Sequence, residues 1–156
     1  MKTAIIFASK YGATEKCAKI LSEKIPNSTT IDIRVDKMPD IAGYDVVIVG
    51  TAIYVGKPNK KILKFLEIND NLLKSKKLGL FMVCMEKGNA IEKQFQLTYS
   101  KELREKAIAK GYFGGSFNFE KMNFFERLVI RLTVKIKKSV DRLDYAAIDT
   151  FAENFS

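Results

Sequence analysis

At 156 residues the chain is sized for one domain spanning 1–156, and 47% hydrophobic residues with 11% aromatics supply a core, which excludes a disordered chain. Histidine is absent and the two cysteines, Cys17 and Cys84, make no CxxC pair; this excludes Ser-His-Asp and Cys-His nucleophiles, thiolate and imidazole-rich metal sites and a disulfide framework, and fits a reducing cytoplasm. A net charge of +9, from 27 basic and 18 acidic residues, points to an anionic partner, substrate or lipid surface.

The chain opens with TAIIFAS (Thr3 to Ser9), a short β-branched and aromatic run that reads as a strand buried on both faces. It is too short for the apolar part of a leader and is followed by a glycine turn and a charged helix; no stretch approaches the roughly 18 apolar residues of a membrane span. A soluble protein is expected. After Tyr11 and Gly12, ATEKCAKILSEKI places Cys17, Ala18, Leu21 and Ile25 at helical spacing.

TTIDIRV (Thr29 to Val35) alternates like a strand nearer an edge, and DVVIVGT (Asp45 to Thr51) reads as a second buried strand. PNKKILKFLEI (Pro58 to Ile68) predicts a helix begun by Pro58, with Ile62, Leu63, Phe65 and Leu66 on one side. KLGLFMVCM (Lys77 to Met85) is another interior strand, Ala90 to Lys110 a long helix, and GYFGGSFNF (Gly111 to Phe119) a last strand loosened by its glycines. Two further helices follow, from Phe124 to Lys138 and from Tyr145 to Phe155. Strands alternating with helices imply βαβ crossovers, hence an α/β fold: a doubly wound three-layer α/β/α sandwich on a five-stranded parallel sheet of order 2-1-3-4-5.

The sharpest signal is the first loop, Ser9-Lys10-Tyr11-Gly12-Ala13-Thr14. A strand ends in a hydroxyl residue, a glycine permits a tight bend, and a threonine opens the helix. The hydroxyls and the intervening backbone N–H groups can converge on a phosphate at the positive end of the helix. The alternative is an ordinary capped turn in which Ser9 or Thr14 serves the backbone, with Lys10 in solvent. Neither GxxxxGK[ST] nor GxGxxG with a ribose-binding acid is present.

This loop resembles that of the flavodoxin family, whose hydroxyl-x-x-Gly-x-Thr pattern holds the phosphate of FMN. Two further segments at the same sheet edge extend the resemblance: Thr51-Ala52-Ile53-Tyr54-Val55-Gly56 after the third strand, and Val83-Cys84-Met85-Glu86-Lys87-Gly88-Asn89 after the fourth. In that family these two loops hold the isoalloxazine between them, and Tyr54 is the candidate stacking residue. A flat ring needs an apolar slot and backbone polar groups at its edge, which glycine-containing loops bring close. Otherwise Tyr54 is a rim tyrosine and Cys84 a small core residue.

Within the superfamily, the opening MKTAIIFASKYGATEK, the segment GTAIYVGKPNKKILKFL and the late GGSFNFEKMNFFERLVIRLTVKIKK are similar to the menaquinone-dependent, flavodoxin-like protoporphyrinogen oxidases. The ending, SVDRLDYAAIDTFAENFS, is more compact than that family's pattern. From Phe124 to Lys138, helical spacing puts Phe125, Leu128, Val129, Leu132 and Ile136 on one face and Arg127, Arg131, Lys135 and Lys138 in a basic stripe. The resemblance implies a helix that lies peripherally on an anionic membrane or helps hold an acidic porphyrin. The plainer alternative packs the apolar face on the sheet and leaves the cations in water.

The leading expectation is therefore an FMN-dependent oxidoreductase that passes electrons from a reduced organic substrate to a quinone, with no catalytic residue assigned. A flavodoxin-type carrier that serves a redox-protein partner is the alternative. A cofactor-free basic module is a third, although no motif for sequence-specific nucleic-acid binding is present. Receiver domains share the strand order but need acidic residues where Ser9 and Thr51 stand.

Overall fold

The computed structural model describes residues 1–117, 122–133 and 140–156. Strands β1 (Thr3–Ala8), β2 (Ser28–Asp32) and β3 (Val46–Tyr54) are followed by the two-residue β4 (Lys57–Pro58), then β5 (Lys77–Val83) and β6 (Ala109–Tyr112). The sheet runs β2-β1-β3-β5-β6, all parallel, with β4 antiparallel to β3. With β4 set aside this is the order 2-1-3-4-5. A separate antiparallel ribbon joins β7 (Gly114–Phe117) to β8 (Val140–Leu143).

Successive residues of a strand face opposite sides, so a strand covered on both sides needs apolar residues throughout. In β1, Ile5 and Phe7 pack with α1 (Ala13–Lys24) and α7 (Tyr145–Glu153) through Leu21, Ile148 and Phe151. Ala4 and Ile6 face the other layer, built from α2 (Lys60–Ile68), α3 (Asp70–Lys74), α4 (Asn89–Thr98) and α5 (Lys101–Lys106). Val46 and Ile48 against Val47 and Val49, and Phe81 and Val83 against Leu80 and Met82, repeat the alternation. Gly50 belongs to the same scheme: a Cβ there would lie 1.9 Å from the Phe81 ring.

Several elements differ from the sequence expectation, each for a local reason. The helix expected from Ala90 to Lys110 is two helices, because Tyr99 turns extended and buries its ring, its hydroxyl donating to Phe81 O (2.7 Å) and reaching Val49 O (3.2 Å). Ser100 then restarts the ladder by accepting from Leu103 N. Strand β6 consequently begins at Ala109. The second strand stops at Asp32, whose carboxylate accepts from Arg34 N and turns Arg34 and Val35 out of the sheet. Pro58 lies in β4; Asn59 caps α2 by accepting from Lys61 N. Leu63 is partly exposed, unlike Ile62, Phe65 and Leu66. Asn118 and Phe119 of the expected last strand, and Lys135, Ile136 and Lys138 of the expected basic helix, lie outside the described residues.

Candidate functional site

The first turn is closed by Ser9, which accepts from Gly12 N at 3.1 Å. Gly12 has φ +95, a conformation a side chain would strain, and it aims the chain into α1. The helix ladder starts with Lys16 N donating to Gly12 O, so the amides of Ala13 and Thr14 precede it. Thr14 is buried and its hydroxyl has no partner. An unsatisfied buried hydroxyl is costly, and here it stands at a helix start that attracts anions. Ser9 therefore serves the backbone, as the ordinary-turn reading had it, whereas Thr14 does not.

The second segment is mostly strand rather than loop. Strand β3 runs to Tyr54, and Val55 and Gly56, with φ +50 and +71, form a two-residue hairpin into Lys57. Two positive φ values match the twist of paired strands, yet a β-branched valine rarely adopts one. The buried Thr51 turns away from this edge: its hydroxyl donates to Ala52 O (3.3 Å) and accepts from Asn59 N (3.4 Å).

The third turn leaves β5 at Val83. Cys84 N donates to Gly114 O at 2.7 Å, which docks β7 beside the turn. Burial holds the Cys84 thiol above its ordinary pKa, so it is a poor nucleophile. Met85 lies over Gly115, where a Cβ would come within 2.8 Å of it. Glu86 and Lys87 are exposed, and Gly88 leads into α4 at Asn89.

The three turns enclose one cavity of about 510 Å³ at the carboxyl edge of the sheet. From the expected residues it takes Ser9, Lys10, Tyr11, Ala13, Thr14, Ala52, Ile53, Tyr54, Val55, Val83, Cys84 and Met85. Gly12, Thr51, Gly56, Glu86, Lys87, Gly88 and Asn89 do not line it. Sequence reasoning missed Ala8, the stretch Lys57, Pro58, Asn59 and Lys60, and Gly115 with Ser116. Lys57 is brought there by the hairpin and Gly115 by the ribbon, both long-range or turn-dependent arrangements; the Val-Gly pair gave no hairpin signal.

A helix packs behind residues of all three turns without itself lining the cavity. In α6 (Phe124–Thr133), Ile130 and the preceding Met122 pack on Tyr11, Tyr54 and Met85, one residue from each turn. Its start is a capping box: Asn123 Oδ1 accepts from Glu126 N (2.8 Å) and Glu126 Oε1 from Asn123 N (3.5 Å). Lys10 Nζ stands 3.0 Å from Glu126 Oε2, an ionic contact without directed hydrogen-bond geometry. Lys10 also lies 5.3 and 5.8 Å from the Tyr11 and Tyr54 ring centroids, so its charge faces that helix. The plainer expectation, with Phe125, Leu128 and Leu132 packed on the sheet, does not hold: Phe125 and Leu132 are strongly exposed and Leu128 partly so.

Tyr11 and Tyr54 lie 5.4 Å apart and tilted by 53°. A ring sandwiched between them would need about 7 Å, two carbon contacts, so these tyrosines form one wall. Among the described residues no group of His, Cys, Asp and Glu is arranged to hold a metal ion.

Comparison with known proteins bears on this edge. The flavodoxin domain profile matches residues 4–144. An uncharacterized protein of Methanocaldococcus jannaschii is 34% identical over 115 residues, 72% of this chain and 69% of that one. Among solved structures, flavodoxin 2 of Bacillus cereus superposes with a TM-score of 0.60 at 17% identity, covering 99% of this chain and 97% of that chain. The flavodoxin of Streptococcus pneumoniae TIGR4 gives 0.59 at 19%, over the same shares. Oxidised flavodoxin 1 of Bacillus cereus gives 0.54 at 24%, covering 73% and 82%. At these identities the structures establish the fold.

Proposed function

The chain belongs to the flavodoxin-domain family, and from that premise we propose that it binds FMN in this cavity and serves as a flavin-based electron-transfer protein. One observation carries the reading: an unpartnered buried hydroxyl, Thr14, at the start of α1, opening into a cavity walled by all three turns. The volume of about 510 Å³ falls within the roughly 300–1,000 Å³ of small-molecule sites. FMN, when bound, supplies the reversible uptake of electrons.

The chain's own residues divide the remaining work. The Ala13 and Thr14 amides and the Thr14 hydroxyl take the phosphate. Tyr54, backed by Tyr11, and the Val83–Met85 turn provide the apolar slot for the ring. Met122 and Ile130 exclude water from the tyrosine wall.

A second reading is favoured by the charge and by the exposed apolar residues of α6: a quinone-linked oxidoreductase of the protoporphyrinogen oxidase type, acting on an anionic porphyrinogen. The +9 charge suits an anionic substrate and suits a carrier for basic partners poorly. Either reading places the protein in the cytoplasm, the second at the inner face of a membrane.

The absorbance of the purified protein and quenching of added FMN fluorescence test the common premise. Flavin bands or saturable quenching are expected; a colourless protein that leaves FMN fluorescence unchanged overturns it. Anaerobic mixing of the loaded protein with protoporphyrinogen and menaquinone then separates enzyme from carrier.

A further inference from the structure

We propose that a lysine ridge at the rim of the cavity, formed by Lys57, Lys60, Lys61 and Lys64, is the docking surface for an acidic redox protein. These four cations fall within residues 57–64, a stretch that holds no acidic residue, and all four are exposed. In α2, 100° per residue puts Lys60, Lys64 and Lys61 on one outer arc of about 100°, turned away from the buried Ile62, Phe65 and Leu66. Lys57 and Lys60 line the cavity, and Lys61 and Lys64 do not. The charge therefore begins at the mouth and runs outward along the helix.

The ridge breaks a local rule. Lys60 and Lys61 stand in the first turn of α2, where the helix dipole disfavours cations, and no acid stands there with them. Lys16, Lys19, Lys24 and Lys74 pair with carboxylates. Among the described residues no ridge lysine does, and Lys61 instead donates to Arg34 O at 3.0 Å. A local conflict that the fold leaves unrelieved marks a surface kept for function.

The chemistry of the ridge selects its occupant. Two of its four charges lie outside the cavity, beyond what a small anion within it would touch. A lipid surface takes up an apolar strip, whereas the outer arc from Glu67 to Lys61 holds three lysines, one acid and one apolar residue, Ile68. A protein with carboxylates around its own redox centre meets the ridge by charge, and transient redox encounters need only a small area oriented electrostatically. Docked there, its centre faces the mouth, and one electron passes between it and the bound flavin, one side oxidised as the other is reduced, with no further co-reactant. That consequence rests on the flavin reading; the docking does not.

The test is calorimetric titration of the full chain, with and without added FMN, with an acidic plant-type two-iron, two-sulfur ferredoxin as the probe, joined to stopped-flow electron exchange between the two loaded proteins. Association is expected at low salt and lost at high salt, because exposed charges are screened beyond about 10 Å at 0.1 M. Lys60→Gln/Lys64→Gln should weaken association and slow exchange at least about fivefold. Lys2→Gln/Lys106→Gln removes the same charge ahead of β1 and β6, at the opposite sheet edge, and should change both by less than about twofold. Both variants should quench FMN as the wild type does. Absence of association, or equal weakening by the two variants, overturns the proposal. So does a ridge variant that loses binding to anionic vesicles or duplex RNA while keeping the ferredoxin, which would assign the lysines to a polyanion of another class. Ferredoxin binding without FMN quenching would remove the flavin reading and leave the docking intact.

Discussion

Glu126 holds two parts of the molecule with one carboxylate: Oε1 accepts from Asn123 N at the start of α6, while Oε2 stands 3.0 Å from Lys10 Nζ in the first turn of the site. The helix is thus fastened to the first turn of the site by a residue that also starts its own ladder.

Glu126→Gln keeps a cap and loses the ion pair; Glu126→Ala loses both. An ion pair with one exposed partner, Lys10, contributes about 1 kcal/mol and a helix cap about 0.5–2 kcal/mol, so Ala is expected to lower the unfolding midpoint more than Gln. Lys10→Gln should match Glu126→Gln, and the two together should add little. Thermal denaturation of the four variants checks this; strict additivity of Lys10→Gln and Glu126→Gln would show that the pair does not interact.

Thr14→Val removes the unpartnered hydroxyl while keeping the shape. A hydrogen bond to a charged group contributes about 1.5–3 kcal/mol, so FMN affinity should fall at least about tenfold with no loss of stability. Riboflavin, which lacks the phosphate, should bind wild type and variant alike. Fluorescence titration with both ligands measures this, and equal losses for the two would place Thr14 away from the phosphate.

Val55 adopts φ +50 although it is β-branched. Such strain costs of order 1–3 kcal/mol, and Asn-Gly is the favoured pair for this two-residue turn. Val55→Asn should therefore raise stability by about 1 kcal/mol in urea denaturation. A loss of stability would show that Val55 packing outweighs its backbone strain.

Asp141 has its pKa lowered, first by the Leu143 N–H it accepts and then by Tyr145 and Lys16. A carboxylate lowered on folding stabilises the fold above its unfolded pKa of about 3.9, and that contribution fades as pH falls through its lower folded value. Urea midpoints below pH 4 should fall less steeply for Asp141→Asn than for wild type, although the variant is weaker at pH 7. Parallel acid limbs would remove Asp141 from the acid response.

Much of this protein was legible in its sequence because buried parallel strands carry their signal locally. Ala4 to Ala8, Val46 to Val49 and Leu78 to Met82 are apolar at every position or nearly so, since helices cover both faces. The glycine turn into a threonine-headed helix was equally visible, because its geometry is set by consecutive residues. Tyr99 shows the limit: nothing in its neighbourhood marks a break, and only the two carbonyls of β3 and β5 that its hydroxyl reaches explain why the helix ends there.

The sequence by itself determined the layered α/β architecture, because periodicity, chain connectivity and handedness leave few alternatives, while the strand order and the second and third segments of the site followed from the resemblance to flavodoxins. Tertiary structure alone decided which side of α6 turns inward. The strip Phe125, Leu128 and Leu132 is the more apolar by composition. The inward side is instead Met122, Glu126 and Ile130, because Lys10 offers a counter-charge and Tyr11, Tyr54 and Met85 offer a wall, and these come from three turns widely separated along the chain.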